Sequence, residues 1–305
     1  MESYDAVVIG GGPAGMTAAL YLLRAGVKTA MVEKLSPGGQ VLMTSEIENY
    51  PGFPKGLQGW ELADKFANHL EEYDLHRIND EVRSIKVGSP WHTIVTAEGE
   101  VRAKTVVLAT GSRYRKLNVP GEERLIGRGV SYCALCDGNF FRDRDVAVIG
   151  GGNSALEEAL YLARLVNKVH LIHRRQDFRG QACYQDKCFT HEKIKIIRNT
   201  VVDEILGESD VEALALRNVE NGELSRLDLD GVFIFIGFEP IVDFVPEDIK
   251  MDRNGVITDV EMRTNVPGIF AAGDIRSKMC RQVASAVGDG ATAATAAFSY
   301  LEQLD

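Results

Sequence analysis

The chain has 305 residues, 45% of them apolar and 26% charged, with 34 Lys and Arg against 44 Asp and Glu. That length sets an expectation of about two domains, and that apolar share suffices for a buried core in each. The formal net charge of -10 argues against a nucleic acid as partner, because phosphate backbones are held by Lys and Arg. Any phosphate site must therefore be a local basic cluster.

In chain order, the uncharged stretch from Ala6 to Leu23 comes first. Glu2 and Asp5 precede it where a signal peptide needs basic residues. Gly10, Gly11, Gly12 and Pro13 interrupt it where a membrane span needs continuity. It is read as a buried strand (Asp5 to Ile9), a turn and an apolar helix closed by Gly26. With no targeting signal elsewhere and no membrane segment, the expected compartment is the cytoplasm. A second strand, Lys28 to Glu33, makes a βαβ start and implies a parallel sheet. Residues 36–54 are loop-like. A helix follows, with Trp60, Leu62, Ala63, Phe66 and Leu70 as its apolar stripe. Glu81 to Lys104 alternates and turns as a β-meander does, and a separate buried strand runs from Thr105 to Ala109.

From Asp145 the opening pattern returns. Asp5-Ala6-Val7-Val8-Ile9-Gly10-Gly11-Gly12 is answered by Asp145-Val146-Ala147-Val148-Ile149-Gly150-Gly151-Gly152, an internal duplication of a strand–turn–helix element. Gly231 to Ile236 is a further strand. The tail gives a buried strand, Gly268 to Ala272, then Gly273-Asp274 and a small-residue helix from Gln282 to Leu301. The joints between domains are expected as short strands near 114–120 and 238–245.

The two glycine turns carry chemistry. Gly10-x-Gly12-x-x-Gly15 and Gly150-x-Gly152-x-x-Ala155 both sit between a strand and a helix. There a tight turn lets the backbone approach a pyrophosphate at the helix N-terminus. At the same offset from each first glycine stand opposite charges. Glu33 accepts hydrogen bonds from a ribose with a free 2′-hydroxyl and repels a 2′-phosphate, so the first site prefers FAD or NAD. His173-Arg174-Arg175, with Arg179 beyond, is cationic and suits a 2′-phosphate, so the second prefers NADPH. Two seats of opposite preference imply a hydride donor, NADPH, and a two-electron acceptor, FAD.

The five cysteines are Cys133, Cys136, Cys183, Cys188 and Cys280. An odd number with no secretory leader argues against a secreted disulfide framework. Cys133-Ala134-Leu135-Cys136 reads as a redox pair of low-pKa thiols, with Asp137 placed to shuttle a proton. The competing reading is half of a zinc knuckle completed by Cys183 and Cys188, whose spacing is loose for zinc. No metal is expected. Cys183, Cys188 and Cys280 are read as ordinary thiols.

Together these residues resemble the low-molecular-weight, bacterial-type thioredoxin reductases, nearly end to end. The resemblance rests on Gly10–Gly15, Gly38-Gly39-Gln40, Ile47-Glu48-Asn49-Tyr50-Pro51-Gly52, Ala109-Thr110-Gly111, Gly127–Ser131, Cys133–Gly138, Gly150–Glu158, His173–Arg179, Gly273-Asp274 and Arg281-Gln282. It implies an α/β fold of two Rossmann-like, three-layer ββα domains, one inserted in the other. An FAD-binding domain would comprise 1–115 plus 241–305, and an NADPH-binding domain carrying the cysteine pair 116–240. It implies FAD at Gly10, Gly12, Gly15, Glu33, Gln40, Asn49, Thr110, Gly111, Gly273, Asp274, Arg281 and Gln282. NADPH would be held at Gly150, Gly152, Asn153, Ser154, Ala155, His173, Arg174, Arg175 and Arg179, with NADH as a secondary donor.

The implied activity is NADPH-driven reduction of oxidised thioredoxin. Hydride passes to FAD and electrons pass on to the Cys133–Cys136 disulfide, with Cys136 against the flavin and Cys133 attacking the partner. Asp137 is the acid, and the domains rotate between half-reactions. Thioredoxin would dock near Arg128 and Phe140, and the molecule would be a homodimer. The alternative is a flavin-dependent disulfide oxidase, or a reductase of another small thiol protein. The chain departs from the family at Gly237-Phe238-Glu239-Pro240-Ile241, where a Gly-His-x-Pro-Asn type run is frequent. It departs also at Gly180, where Ala is usual, and along Gln181–Phe189.

Overall fold

The computed structural model describes residues 2–43, 47 and 49–304, leaving aside the side chains of Met43, Leu135 and Cys136. The chain forms two compact units, one of residues 1–113 with 239–305 and one of residues 114–238.

The first unit opens with β1 (Glu2–Ile9), α1 (Pro13–Arg24) and β2 (Thr29–Val32). β1 and β2 run parallel, from Ala6 opposite Thr29 to Ile9 opposite Val32. Both are covered on two faces, which is why they read as unbroken apolar runs. α1 stops where Gly26 takes φ +77°, a conformation that costs glycine little. α2 (Gly59–Leu70) starts on a capping box of Gln58 and Glu61 and buries Leu62, Ala63 and Leu70. Trp60, expected on the buried stripe, is 54% exposed. It precedes Leu62 by two residues and so lies about 200° round the helix from it.

β3 (His76–Ile78) adds in parallel to β2. β4 (Val82–Lys86) and β5 (His92–Thr96) form an antiparallel hairpin, and β5 pairs with the first half of β6 (Glu100–Leu108). The separate strand expected from Thr105 does not exist. One continuous β6 serves both the meander and the parallel sheet. Its first half alternates in burial beside β5, and its last four residues are buried throughout beside β1. The two environments impress different patterns on one backbone. β7 (Ser112–Tyr114) leads out of the unit.

The inserted unit runs β8 (Val130–Ser131), α3 (Ala134–Asp137), β9 (Asp145–Gly150), α4 (Asn153–Leu162), β10 (Lys168–Ile172), α5 (Ala182–Thr190) and β11 (Ile194–Ile197). The antiparallel strands β12 (Thr200–Leu206), β13 (Ala213–Asn218) and β14 (Leu224–Asp228) follow, then β15 (Gly231–Phe235). Its main sheet is parallel, in the order β11-β10-β9-β15-β8. α5 occupies the Gln181–Phe189 run that departs from the family. It seats Cys188 in the core, where the thiol donates to the Leu156 carbonyl at 3.4 Å and burial pushes its pKa up to about 11. Cys183, Cys188 and Cys280 are free thiols. β16 (Phe238–Pro240) leaves the unit and pairs with β7 as a two-stranded ribbon.

The chain then forms the small hairpin β17 (Met251–Asp252) and β18 (Gly255–Val256), returns to the first sheet as β19 (Ile269–Ala271) parallel to β6, and ends in α6 (Val283–Leu301). α1 and α6 cover one face of that sheet, over Val8, Val107 and Phe270. The other face carries Val7, Ile9, Val106 and Leu108 against Ile85 and Ile94 of the hairpin. Helices, parallel sheet and antiparallel strands make three layers. The inserted unit repeats them, with α4 on Val146 and Val148 and the β12–β14 sheet on Ala147 and Ile149. Among the described residues no helix is long and apolar enough to cross a membrane.

α6 lies against α1 so closely that a Cβ on Gly290 would fall 2.2 Å from the Ala14 carbonyl oxygen, whereas a Cβ on Gly288 would meet nothing within 4 Å. Gly290→Ala is therefore expected to cost about 1–3 kcal/mol by overpacking. Gly288→Ala should gain up to about 1 kcal/mol from helix propensity. Thermal melts of the two variants should move in opposite directions.

Candidate functional site: two nucleotide seats and a disulfide

At the first seat each glycine answers a different constraint. Gly10 has φ +107°, and a Cβ there would lie 2.5 Å from the Ala109 carbonyl oxygen. A Cβ on Gly15 would lie 1.8 Å from the Gly10 oxygen, so α1 crosses the strand end at backbone contact. Gly12 is the N-cap of α1, has no side-chain cap and is followed by Pro13. Nothing lies within 4 Å of its missing Cβ. The first amides of α1 are thus left without a side-chain cap, as an anion seat requires.

Glu33 stands beside this end. Its Oε2 accepts the Gly11 N–H at 2.7 Å and its Oε1 the Leu35 N–H at 2.9 Å. The two bonds fix its direction while a lone pair on each oxygen remains for ribose hydroxyls. Gln40 donates to the Ser112 carbonyl and hydroxyl. Thr110 Oγ1 donates to the Ile241 carbonyl at 2.8 Å, and Gly111 holds φ +72°. Asn49 Nδ2 donates to Gln282 Oε1 at 3.0 Å, and Gln282 caps α6. Gly273 and Asp274 open a 3-10 turn after β19.

Two buried polar atoms here lack protein partners, Asp274 Oδ1 and Arg281 Nε. Burial holds the Asp274 carboxyl above the usual range, opposed by Lys278 and Arg281. Buried polar atoms are ordinarily paired, and a ligand with hydroxyl and carbonyl groups would satisfy both. The donor set therefore fits a flavin dinucleotide.

The second seat repeats the geometry. Gly150 has φ +152°, with Ala155 Cβ 2.7 Å from where its own would be. Gly152 caps α4 without a side-chain bond and without an obstruction within 4 Å. Asn153 Oδ1 accepts the Gln181 N–H at 2.7 Å, and Ser154 is exposed beside it. Gly180, where the family favours Ala, is explained by contact. Its N–H reaches the Gly151 carbonyl at 3.1 Å, and a Cβ would sit 2.3 Å from Leu156 Cδ1.

His173 occupies the place that Glu33 holds in the first seat, and it lines the cavity of the second seat while mostly buried. It is buried, lies 2.4 Å from where a Gly151 Cβ would be, and packs on Phe178 with ring centroids 4.7 Å apart. Burial first, then Arg174, Arg175 and Arg179, lower its pKa and favour the neutral ring. Arg174, Arg175 and Arg179 are exposed, and among the described residues none is in an ion pair. They line a cavity of ≈ 570 Å³ together with Gly152, Asn153 and Ser154, a size suited to a small cofactor.

Tyr114 and Lys116 also line this cavity and were missed by the sequence reading, since nothing local marks them. Glu158 on α4 was missed as well. Burial, and then Glu157, push its carboxyl up to about 7, and its Oε2 has no partner.

Cys133 is disulfide-bonded. Its N–H donates to Ser131 Oγ at 3.0 Å, and its carbonyl accepts the Asp137 N–H at 3.2 Å as α3 begins. The Cys136 side chain lies outside the described residues, so the pairing expected for it is not described. Asp137 lines a second cavity, of ≈ 340 Å³, with Arg128, Phe140, Arg144, Asp210 and Asp230. Phe140 is 76% exposed beside it.

The family model described as pyridine nucleotide-disulphide oxidoreductase matches residues 4–290. The thioredoxin reductase of Listeria monocytogenes is 44% identical over 99% of this chain and 95% of its own length. In three dimensions the chain superposes on the thioredoxin reductase of Lactococcus lactis with a TM-score of 0.87 at 45% identity, covering 98% of this chain and 99% of that one. It matches the T. acidophilum thioredoxin reductase with a TM-score of 0.84 at 35% identity, over 100% of both chains. With duplicated nucleotide seats, a cysteine in a disulfide and full-length kinship of this degree, the chain belongs to the pyridine nucleotide-disulphide oxidoreductases, in their thioredoxin reductase branch.

Proposed function

We propose that this chain is an NADPH-dependent thioredoxin-disulfide reductase that works through FAD and a Cys133–Cys136 disulfide. The observation that carries the reading is one duplicated seat with opposite charge at the same offset. A carboxylate stands at Glu33, and free guanidinium groups at Arg174, Arg175 and Arg179 surround the second cavity. In the first unit FAD would lie along Gly10, Gly12, Gly15 and Glu33, past Gln40, Asn49, Thr110 and Gly111, to Gly273, Asp274, Arg281 and Gln282. In the second unit NADPH would lie on Gly150, Gly152, Asn153, Ser154 and Ala155 above His173, its 2′-phosphate taken by the arginines. A disulfide oxidase that needs no NADPH leaves those arginines without a task.

FAD, when bound, takes two electrons from the nicotinamide and gives them to a disulfide. The protein then supplies the exchange. The Cys133 thiolate attacks one sulfur of oxidised thioredoxin, which releases the other sulfur as a thiolate and leaves a mixed disulfide. Cys136 attacks Cys133 Sγ, restores the internal disulfide and frees the second thioredoxin sulfur. Asp137, one residue from Cys136, holds the proton that the leaving thiolate takes up. Thioredoxin would dock at the cavity walled by Arg128 and Phe140. The thiol pair and the NADPH seat belong to residues 114–238 and the FAD seat to the rest. They would therefore serve one flavin in turn, by rotation at the paired crossings β7 and β16.

Cys133→Ser and Cys136→Ser are each expected to cut NADPH-driven thioredoxin reduction by at least about 10³-fold while the yellow holoprotein still forms. Turnover surviving in either variant removes the relay. The double change Arg174→Ala, Arg175→Ala should raise the KM for NADPH about 10- to 100-fold and that for NADH by less than about threefold. Equal rises would remove the phosphate-reader role. A crosslink freezing the two units should leave one half-reaction in stopped flow and abolish turnover, and full turnover in the locked enzyme would refute the rotation.

A further inference from the structure

Asp289 is the one charged residue of α6, a helix otherwise built from small and apolar residues, and it is 9% exposed. Its Oδ2 accepts the Gly273 N–H at 3.0 Å and the Lys278 ammonium at 2.8 Å, and its Oδ1 meets Arg276 Nη1 at 2.9 Å. Arg276 Nε is tied to Thr258 Oγ1 at 2.8 Å. The Lys278 and Arg276 side chains are only 10% and 13% exposed. Charges so enclosed need a counter-charge, because water no longer solvates them fully. Gly273 packs where a Cβ would be 2.8 Å from Ala14 Cβ, and Gly290 packs on the Ala14 carbonyl. Asp289 thus sits in the knot that joins the start of α1, the Gly273-Asp274 turn and α6.

Beside this knot is the unpartnered Asp274 Oδ1. Lys278 is near enough to lower the Asp274 pKa, as Arg281 does. A lysine ammonium brings a full positive charge to a carboxylate, which a ligand hydroxyl cannot. A released Lys278 would therefore close on Asp274 and displace a ligand hydroxyl from it.

We propose that Asp289 is a positioning residue of the flavin seat. By holding Lys278 it keeps that cation off Asp274, and by taking the Gly273 N–H it fixes the turn that presents Asp274. This rests on the reading of the first seat as the FAD site.

Flavin binding to apoprotein tests it, followed by quenching of flavin fluorescence, with thermal melts of the same apoproteins as a measure of fold. Asp289→Asn keeps an acceptor for the Gly273 N–H but frees Lys278. It is expected to weaken FAD binding by the folded apoprotein about tenfold or more and to lower the melt, because Arg276 loses its counter-charge. Lys278→Met alone should bind FAD as wild type does. The double variant Asp289→Asn, Lys278→Met should return to within about threefold of wild type, a rescue that a merely structural aspartate would not show. Binding by Asp289→Asn within about twofold of wild type, or a double variant as weak as the single one, overturns the proposal. Should the single variant fail to fold, a tenfold deficit in the double variant, roughly 1.4 kcal/mol, overturns it as well. A wild-type apoprotein that takes up no FAD would instead refute the cofactor reading.

Discussion

A helix that begins at the end of a buried strand leaves peptide N–H groups without partners. In each unit of this chain the residue that would normally cap them is a glycine. Gly12 and Gly152 offer no side chain, and the space in front of both is clear to 4 Å. The bare end is an electrostatic demand for an anion, and the rest of each seat is arranged round it. Gly10 and Gly15 let α1 pass over the strand at backbone contact, which brings the helix end over the sheet edge instead of beyond it. In the second seat Ala155 replaces the last glycine, and its methyl fills the place that a Gly150 side chain would take. The duplication conserves a geometry, and the residues are free to differ where that geometry does not need glycine.

The same offset then hosts different chemistry. Glu33 packs its side chain against Gly11, with Cγ 3.1 Å from the missing Cβ, and His173 lies against Gly151 in the equivalent position. In the first seat the packed residue is also the proposed reader, since each carboxylate oxygen accepts one hydrogen bond from the backbone and keeps a lone pair. In the second the packed residue is a buried ring, and the proposed reading passes to the arginines that follow on the exposed turn. A packed floor with exposed cations beside it suits a phosphate, which guanidinium groups grip from several directions. A hydroxyl pair needs the directed lone pairs of a held carboxylate.

The glycine runs, the duplication and the opposed charges were legible in the sequence because each is local: a turn, a helix start and a residue at a fixed count. Legibility failed where one element answers to two environments or where contacts are distant. β6 read as two strands because its halves are buried differently. Trp60 read as core because it falls near the apolar stripe in spacing but round the far side of the helix. The packing of the His173 ring against Gly151 and Phe178 was likewise not legible, since it depends on contacts across the turn. The knot at Asp289 joins residues 14, 258, 273, 276 and 278 through contacts no periodicity encodes. A single carboxylate in a helix of small residues was its one local trace.

The surface beside the disulfide differs in kind from both nucleotide seats. Arg128 and Arg144 share its cavity with Asp137, Asp210 and Asp230, and Phe140 projects next to them. Charges of both signs on one rim orient a partner and reject wrong ones more than they add affinity, while one exposed aromatic ring supplies a compact apolar anchor. The arginine-lined cavity, by contrast, carries charge of one sign, which suits an anionic ligand. On the proposed reading, a partner protein that leaves reduced after every two electrons is better served by such a mixed rim, which aligns it without holding it tightly.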